Sequence, residues 1–262
     1  MRGLIFSDID GTIMPDEKVI SKYTAEAIRN LDKYGYGFVL VTGKNRQKTE
    51  EVARAYGGSR YIITSNGGEV FDCLERKVIY IVPIERKVVE KLYNKAKKLN
   101  VRFILNVDAD FRFTTELKHN DGSERLLTSL DEVFNSYNVV GGLFDNIPEE
   151  FIPEIKACII EADTVDIANQ RVDNIRNFVD FNSVYADKGV AIRKLIKYLN
   201  VDYEKTISIG NERNDVEMFS ATHTSVTVKN APKEIKQMVD KVVDSVNNDG
   251  VGKFLNTLIK SN

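Results

Sequence analysis

Asp8 and Asp10 close an apolar run and lead into a glycine turn in the segment Leu4-Ile5-Phe6-Ser7-Asp8-Ile9-Asp10-Gly11-Thr12. Side chains alternate along a strand, so a strand persisting through Asp10 would put both acids on one face, where two anions repel. A cation between them removes the conflict. Mg²⁺ suits the role, being hard, oxygen-seeking and usually held by one or two carboxylates plus a substrate phosphate. The plainer alternative is an Asp-Gly turn that does no more than end a strand.

Three further polar segments follow apolar runs or open helices: Thr42-Gly43-Lys44, Lys188-Gly189, and Gly210-Asn211-Glu212-Arg213-Asn214-Asp215. The elements around them follow one rhythm. Ala27, Ile28, Leu31 and Tyr34 fall at helical spacing within 21–34, and Gly35 and Gly37 then precede the apolar run Phe38-Val39-Leu40-Val41. A polar helix over 45–56, a Gly57-Gly58 stop and a strand over 61–64 repeat the β-α-β pattern. Beyond residue 187 the same alternation returns, with a helix over 188–199, strands over 206–210 and 225–228, and helices near 216–221, 232–240 and 250–260. Such alternation predicts an α/β fold with a doubly wound parallel sheet and a site at the carboxyl ends of its strands.

The stretch 82–182 reads as an inserted α/β domain. Pro83 opens a helix lined by Ile84, Val88, Leu92, Ala96 and Leu99, with Lys87, Lys91, Lys95 and Lys98 on its solvated face. Strands are expected over 101–105, 111–114, 139–144, 157–161 and 178–181, and a polar helix over 164–177.

Composition narrows the partners. Thirty-seven basic and 39 acidic residues give a net charge of −2, which supplies no general attraction to nucleic acid or anionic lipid. No run approaches the ~20 apolar residues of a membrane span, and the only cysteines, Cys73 and Cys158, lack metal-type spacing. These features predict a cytoplasmic protein acting without nucleic acid or membrane; a monomer or homodimer is expected. His119 and His223 stand apart from any second metal-type ligand, and no dinucleotide or Walker glycine pattern is present.

Taken together, the four polar segments make nearly the whole chain resemble the haloacid dehalogenase-like phosphohydrolases, in particular Cof-type phosphatases, whose large α/β cap lies between the second and third motifs. Ser65-Asn66-Gly67-Gly68, Val228-Lys229-Asn230-Ala231 and Asn248-Asp249-Gly250-Val251 strengthen the likeness. The resemblance implies a Rossmann-like core over 1–81 and 183–262 and a substrate-specificity cap over 82–182. It implies Mg²⁺-dependent hydrolysis of a small phosphorylated metabolite such as a sugar phosphate, with a mutase or a binding module that has lost turnover as alternatives. Asp8 would attack phosphorus and Asp10 would act as general acid and base. Thr42, Lys188 and backbone amides around Ile9 and Gly11 would neutralise the phosphate, with Gly43, Lys44 and Asn66 beside them. Asn214 would hold Lys188 or the phosphate, and Mg²⁺ would lie among Asp8, Asp10, Asn211 and Asp215.

Two residues depart from the family pattern. Asn211 stands where an Asp ligand is usual, which removes one negative charge and predicts weaker metal binding. Lys44 stands where Arg is common, keeping the charge without the planar two-point grip.

Overall fold

The computed structural model describes residues 2–15, 19–172 and 177–260. Two compact units divide the chain: Met1–Lys44, Lys48–Tyr80 and Asp187–Asn262 form the first, and Asn45–Gln47 with Ile81–Ala186 form the second.

In the first unit the expected doubly wound core is present. Its sheet runs in the order Lys241–Val243, Thr224–Val228, Thr206–Gly210, Gly3–Ser7, Tyr36–Val41, Tyr61–Thr64, Glu69–Asp72 and Lys77–Ile81. The six strands from Lys241–Val243 to Tyr61–Thr64 pair in parallel, and Glu69–Asp72 then turns back antiparallel. All five residues of Gly3–Ser7 are buried, as expected for a central parallel strand covered on both faces. Ser21 caps the helix Lys22–Leu31 by accepting the Thr24 N–H at 3.0 Å, and that helix buries Ala27, Ile28 and Leu31 at helical spacing. Asp187 does the same for Lys188–Leu199 through the Val190 N–H at 2.6 Å.

The second unit carries a six-stranded sheet in the order Val165–Arg171, Phe178–Ser183, Val139–Asp145, Arg102–Val107, Arg112–Thr114 and Glu124–Leu126. Its apolar face packs on the helices Arg86–Leu99, Leu130–Ser136 and Ile152–Ile160 around Phe103, Phe113, Phe144 and Phe181.

Two expected elements change type. Residues 157–161, expected as a strand, lie mostly in the helix Ile152–Ile160. A short apolar run is ambiguous between the two periods, and the spacing of buried Ile152, Ile155 and Ile159, with Pro153 in the first turn, fits the helix. Conversely, the polar helix expected over 164–177 is replaced by the strand Val165–Arg171, while 173–176 lie outside the described residues. Among the described residues this strand occupies a sheet edge, paired with Phe178–Ser183 alone, so its polar residues meet solvent.

A buried charge network ties the short strands of the second unit to its centre. The Arg102 guanidinium lies 2.7 Å from both Glu124 and Asp145, and Arg112 donates to Glu124 at 2.8 Å. Burial would raise the Glu124 carboxyl, but the Lys118 backbone N–H and the two guanidiniums outweigh it and hold it down at about 2. Because the folded value is depressed, the stabilisation is complete above the ordinary value of 4.5 and is lost as pH falls from there toward 2. Glu124→Gln should therefore cost about 3 kcal/mol at pH 7 by leaving buried guanidinium charge under-compensated. In urea melts the difference from wild type should shrink steadily as pH falls from 5 to 3; a constant difference would disprove the assignment.

Candidate active site

Strand Gly3–Ser7 ends with Ser7, and Asp8 leaves the sheet with its N–H still donating to the Ile209 carbonyl at 2.9 Å. The Asp8 side chain is buried against Lys188, whose ammonium donates to Asp8 Oδ1 at 2.9 Å and to Asp215 Oδ1 at 2.6 Å. The ammonium is 1% exposed, so these contacts replace its hydration. Burial and the neighbouring Asp215 charge push the Asp8 carboxyl up, and Lys188 only partly offsets them. For Lys188, burial works downward and is outweighed by Asp215 and Asp8, which hold the ammonium above its ordinary value.

Asp215 enters from the one-turn helix Arg213–Asp215, where a capping box with Glu212 fixes it. Its Oδ2 accepts the N–H groups of Asn211 and Glu212 at 2.8 and 3.0 Å, so both oxygens are engaged. In this arrangement Asp215 anchors Lys188.

The strand ends at Ser7, so Asp10 is carried by the following turn and not by the strand itself. Asp10 is 43% exposed and pairs with Lys44 at 2.5 Å, so each acid has its own lysine. Between them the loop folds back, with the N–H groups of Thr12, Ile13 and Met14 all donating to the Ile9 carbonyl. The Gly11 N–H donates to Met14 at 2.8 Å and is therefore not the anion donor expected. Among the described residues, the N–H groups of Ile9, Asp10 and Gly43 have no protein acceptor. Thr42 is buried, and its oxygen accepts the Lys44 N–H at 3.2 Å, leaving the hydroxyl hydrogen to donate elsewhere. These groups and Lys188 are hydrogen-bond donors drawn from three segments of the chain.

Gly11 has φ +71°, and a side chain there would meet the Asn211 amide at 2.6 Å. Thr12 Oγ1 donates to Asn211 Oδ1 at 2.6 Å, and Asn230 Nδ2 donates to the Gly11 carbonyl at 2.7 Å. Sequence reasoning gave no role to Thr12 or Asn230 and did not read Asp187 as a helix cap. The Asp187 cap was legible as an acidic residue just before Lys188, whereas the other two depend on contacts spanning about two hundred residues. Asn214 is exposed and donates to Asn66 Oδ1 at 3.3 Å, and among the described residues no hydrogen bond joins it to Lys188. Lys188 is instead held by Asp215, which the short helix turns inward.

Among the described residues no group of three or more acidic, histidine or cysteine side chains is gathered as a metal site, but oxygen donors of the kind Mg²⁺ takes are at hand. One Asp8 oxygen is not used by Lys188, the Asn211 amide oxygen retains a lone pair beside Thr12, and three carboxylates, Asp8, Asp10 and Asp215, face two ammoniums.

A sequence profile described as haloacid dehalogenase-like hydrolase matches residues 5–255. A 5-amino-6-(5-phospho-D-ribitylamino)uracil phosphatase of Bacillus subtilis is 25% identical over 256 residues, spanning 96% of this chain and 94% of the relative. Among solved structures, a hydrolase of this type from Bacteroides thetaiotaomicron superposes with a TM-score of 0.81 at 21% identity, covering 98% of this chain and 99% of that one. A subclass IIB sugar phosphatase superposes at 0.70 with 21% identity, covering 98% of each chain.

Removing either end of the Asp8–Lys188 pair should have opposite effects on stability. Asp8→Asn removes a charge disfavoured by burial and should leave the urea midpoint equal to or above that of wild type. Lys188→Met leaves two buried carboxylates without their cation and should cost about 3 kcal/mol. Equal losses in the two variants would contradict this electrostatic picture.

Proposed function

The chain belongs to the haloacid dehalogenase-like hydrolases, and from that premise we propose that it is a Mg²⁺-dependent phosphatase acting on a small phosphomonoester through an aspartyl phosphate. The observation that carries this reading is Asp8 beside Lys188, with the Ile9, Asp10 and Gly43 amides unclaimed by the protein. Positioning and charge neutralisation are most of what phosphoryl transfer asks of an enzyme, and these groups provide both.

In the first step an Asp8 oxygen attacks phosphorus, the bond from phosphorus to the substrate oxygen breaks, and the leaving oxygen takes the Asp10 proton. A water then attacks the phosphoryl group, loses its proton to Asp10, and releases orthophosphate with Asp8 restored. Lys188 lowers the charge of Asp8 during approach, and Lys44 pairs with Asp10, the group that would carry the proton in both steps. Mg²⁺ would be held by Asp8, Asp10 and Asn211 and would offset the excess carboxylate charge against a dianionic phosphate. The segment 82–182 would act as the cap that selects the organic part of the substrate. The B. subtilis relative's name points to phosphorylated polyol derivatives and the subclass IIB neighbour's title to sugar phosphates, so both classes belong in the substrate panel.

Phosphate release from p-nitrophenyl phosphate and from sugar and polyol phosphates, titrated with Mg²⁺, tests the proposal. Activity should require Mg²⁺ and fall at least ~10³-fold in Asp8→Asn. Asn211→Asp should lower the Mg²⁺ concentration for half-maximal rate about tenfold by adding a carboxylate ligand. Isomerised sugar phosphate without orthophosphate would indicate a mutase, and binding without turnover a module that has lost catalysis.

A further inference from the structure

Three successive residues after the strand Tyr61–Thr64 adopt left-handed backbone: Ser65 at φ +50°, Asn66 at +55° and Gly67 at +94°. Glycine does this freely, but serine and asparagine adopt it against a steric cost, and such a run persists only when its surroundings over-determine it. The surroundings here are the segments that carry those donors. On one side the Ser65 N–H donates to the Lys44 carbonyl and the Asn66 N–H to the Thr42 carbonyl, both at 3.0 Å, so the turn grips the chain on either side of Gly43. On the other side Gly67 lies on the peptide that leads into Lys188: a Cβ there would fall 2.3 Å from the Asp187 carbonyl oxygen and 2.8 Å from the Lys188 nitrogen.

The Asn66 side chain completes the junction. Its Oδ1 accepts from Asn214 and lies against Gly43, where an added Cβ would come within 3.1 Å. One left-handed turn thus touches the segments that supply the Thr42 hydroxyl, the Gly43 amide and the Lys188 ammonium.

We infer that Ser65-Asn66-Gly67 is a positioning device that sets the distance between the Gly43 amide and the Lys188 ammonium, and that Asn66 acts through these groups without contacting the phosphate itself. The inference rests on the phosphatase reading and adds to it a cause for the geometry. A small error in donor placement costs rate far more than it costs ground-state binding, since the donors must match the charge that develops at phosphorus.

Asn66→Gly separates placement from stability, because it deletes the side-chain contacts and relieves the left-handed constraint together. With p-nitrophenyl phosphate, kcat should fall about tenfold or more while KM changes less than about threefold. Inhibition by orthovanadate, which adopts the five-coordinate geometry of the transferring group, should weaken in proportion to kcat. The thermal midpoint should stay level or rise. Asn214→Ala, which removes the partner of Asn66, should shift kcat in the same direction by a smaller factor. Unchanged kcat and vanadate inhibition would overturn the inference, as would a loss confined to KM or one that follows a fall in thermal midpoint. Calorimetric titration with inorganic phosphate keeps the two readings distinct. A wild-type protein that binds phosphate without turnover ends the phosphatase reading. In that case the turn inference stands if Asn66→Gly weakens orthovanadate binding at least about tenfold while phosphate binding changes less than about threefold, and falls otherwise. A wild type that neither binds nor hydrolyses phosphate overturns both.

Discussion

Lys188 between Asp8 and Asp215 is the interaction on which the first unit is organised. An ammonium and two carboxylates withdrawn from water are tolerable only if their geometry is held closely, because removal of one partner leaves an uncompensated charge in a low-dielectric interior. The fold supplies that hold from three directions. A fully buried strand fixes Asp8, the Asp187 cap fixes the first turn that carries Lys188, and the Glu212–Asp215 capping box fixes the third group. Parallel pairing of Gly3–Ser7 with Thr206–Gly210 brings residues about two hundred positions apart to neighbouring strand ends.

Backbone economy around that triad determines which donors remain for a ligand. The loop after Asp8 turns four of its amides inward, three to Ile9 and that of Gly11 to Met14, and leaves those of Ile9 and Asp10 outside this pattern. Closing so short a loop needs Gly11 at positive φ and the Asn230 amide on its carbonyl. The left-handed turn at Ser65-Asn66 follows the same logic at a cost of order 1–2 kcal/mol for each non-glycine residue. Strain of that kind is placed where a preformed arrangement of donors is worth more than local comfort.

Much of this was legible in the sequence because the core obeys strong periodicities. Apolar runs ending in Asp8, Thr42 and Gly210 marked strand ends, and helical spacing over 188–199 placed Lys188 in a first turn. What was not legible depends on non-local contact. The pairing of Asp10 with Lys44, the inward amide of Gly11 and the anchoring of Lys188 by Asp215 rather than Asn214 are consequences of where turns close. In the second unit the apolar run 157–161 was too short to reveal its period, and the edge strand Val165–Arg171 was too polar to look like one. Both errors arise where tertiary setting overrides local pattern.

Charge balance then gives Asn211 a physical meaning. An aspartate there would be a fourth carboxylate beside Asp8, Asp10 and Asp215, and Asp8 is already pushed toward its neutral form by burial and Asp215. The amide keeps an oxygen for Thr12 and for a cation while adding no charge to a crowded anionic corner. Under the proposed mechanism such a site would bind a divalent ion less tightly, and Asp8 would depend less on that ion to remain ionised. Lys188 is thereby left with a larger share of the electrostatic work, which fits its complete enclosure and its contacts of 2.9 and 2.6 Å to the two acids it must satisfy.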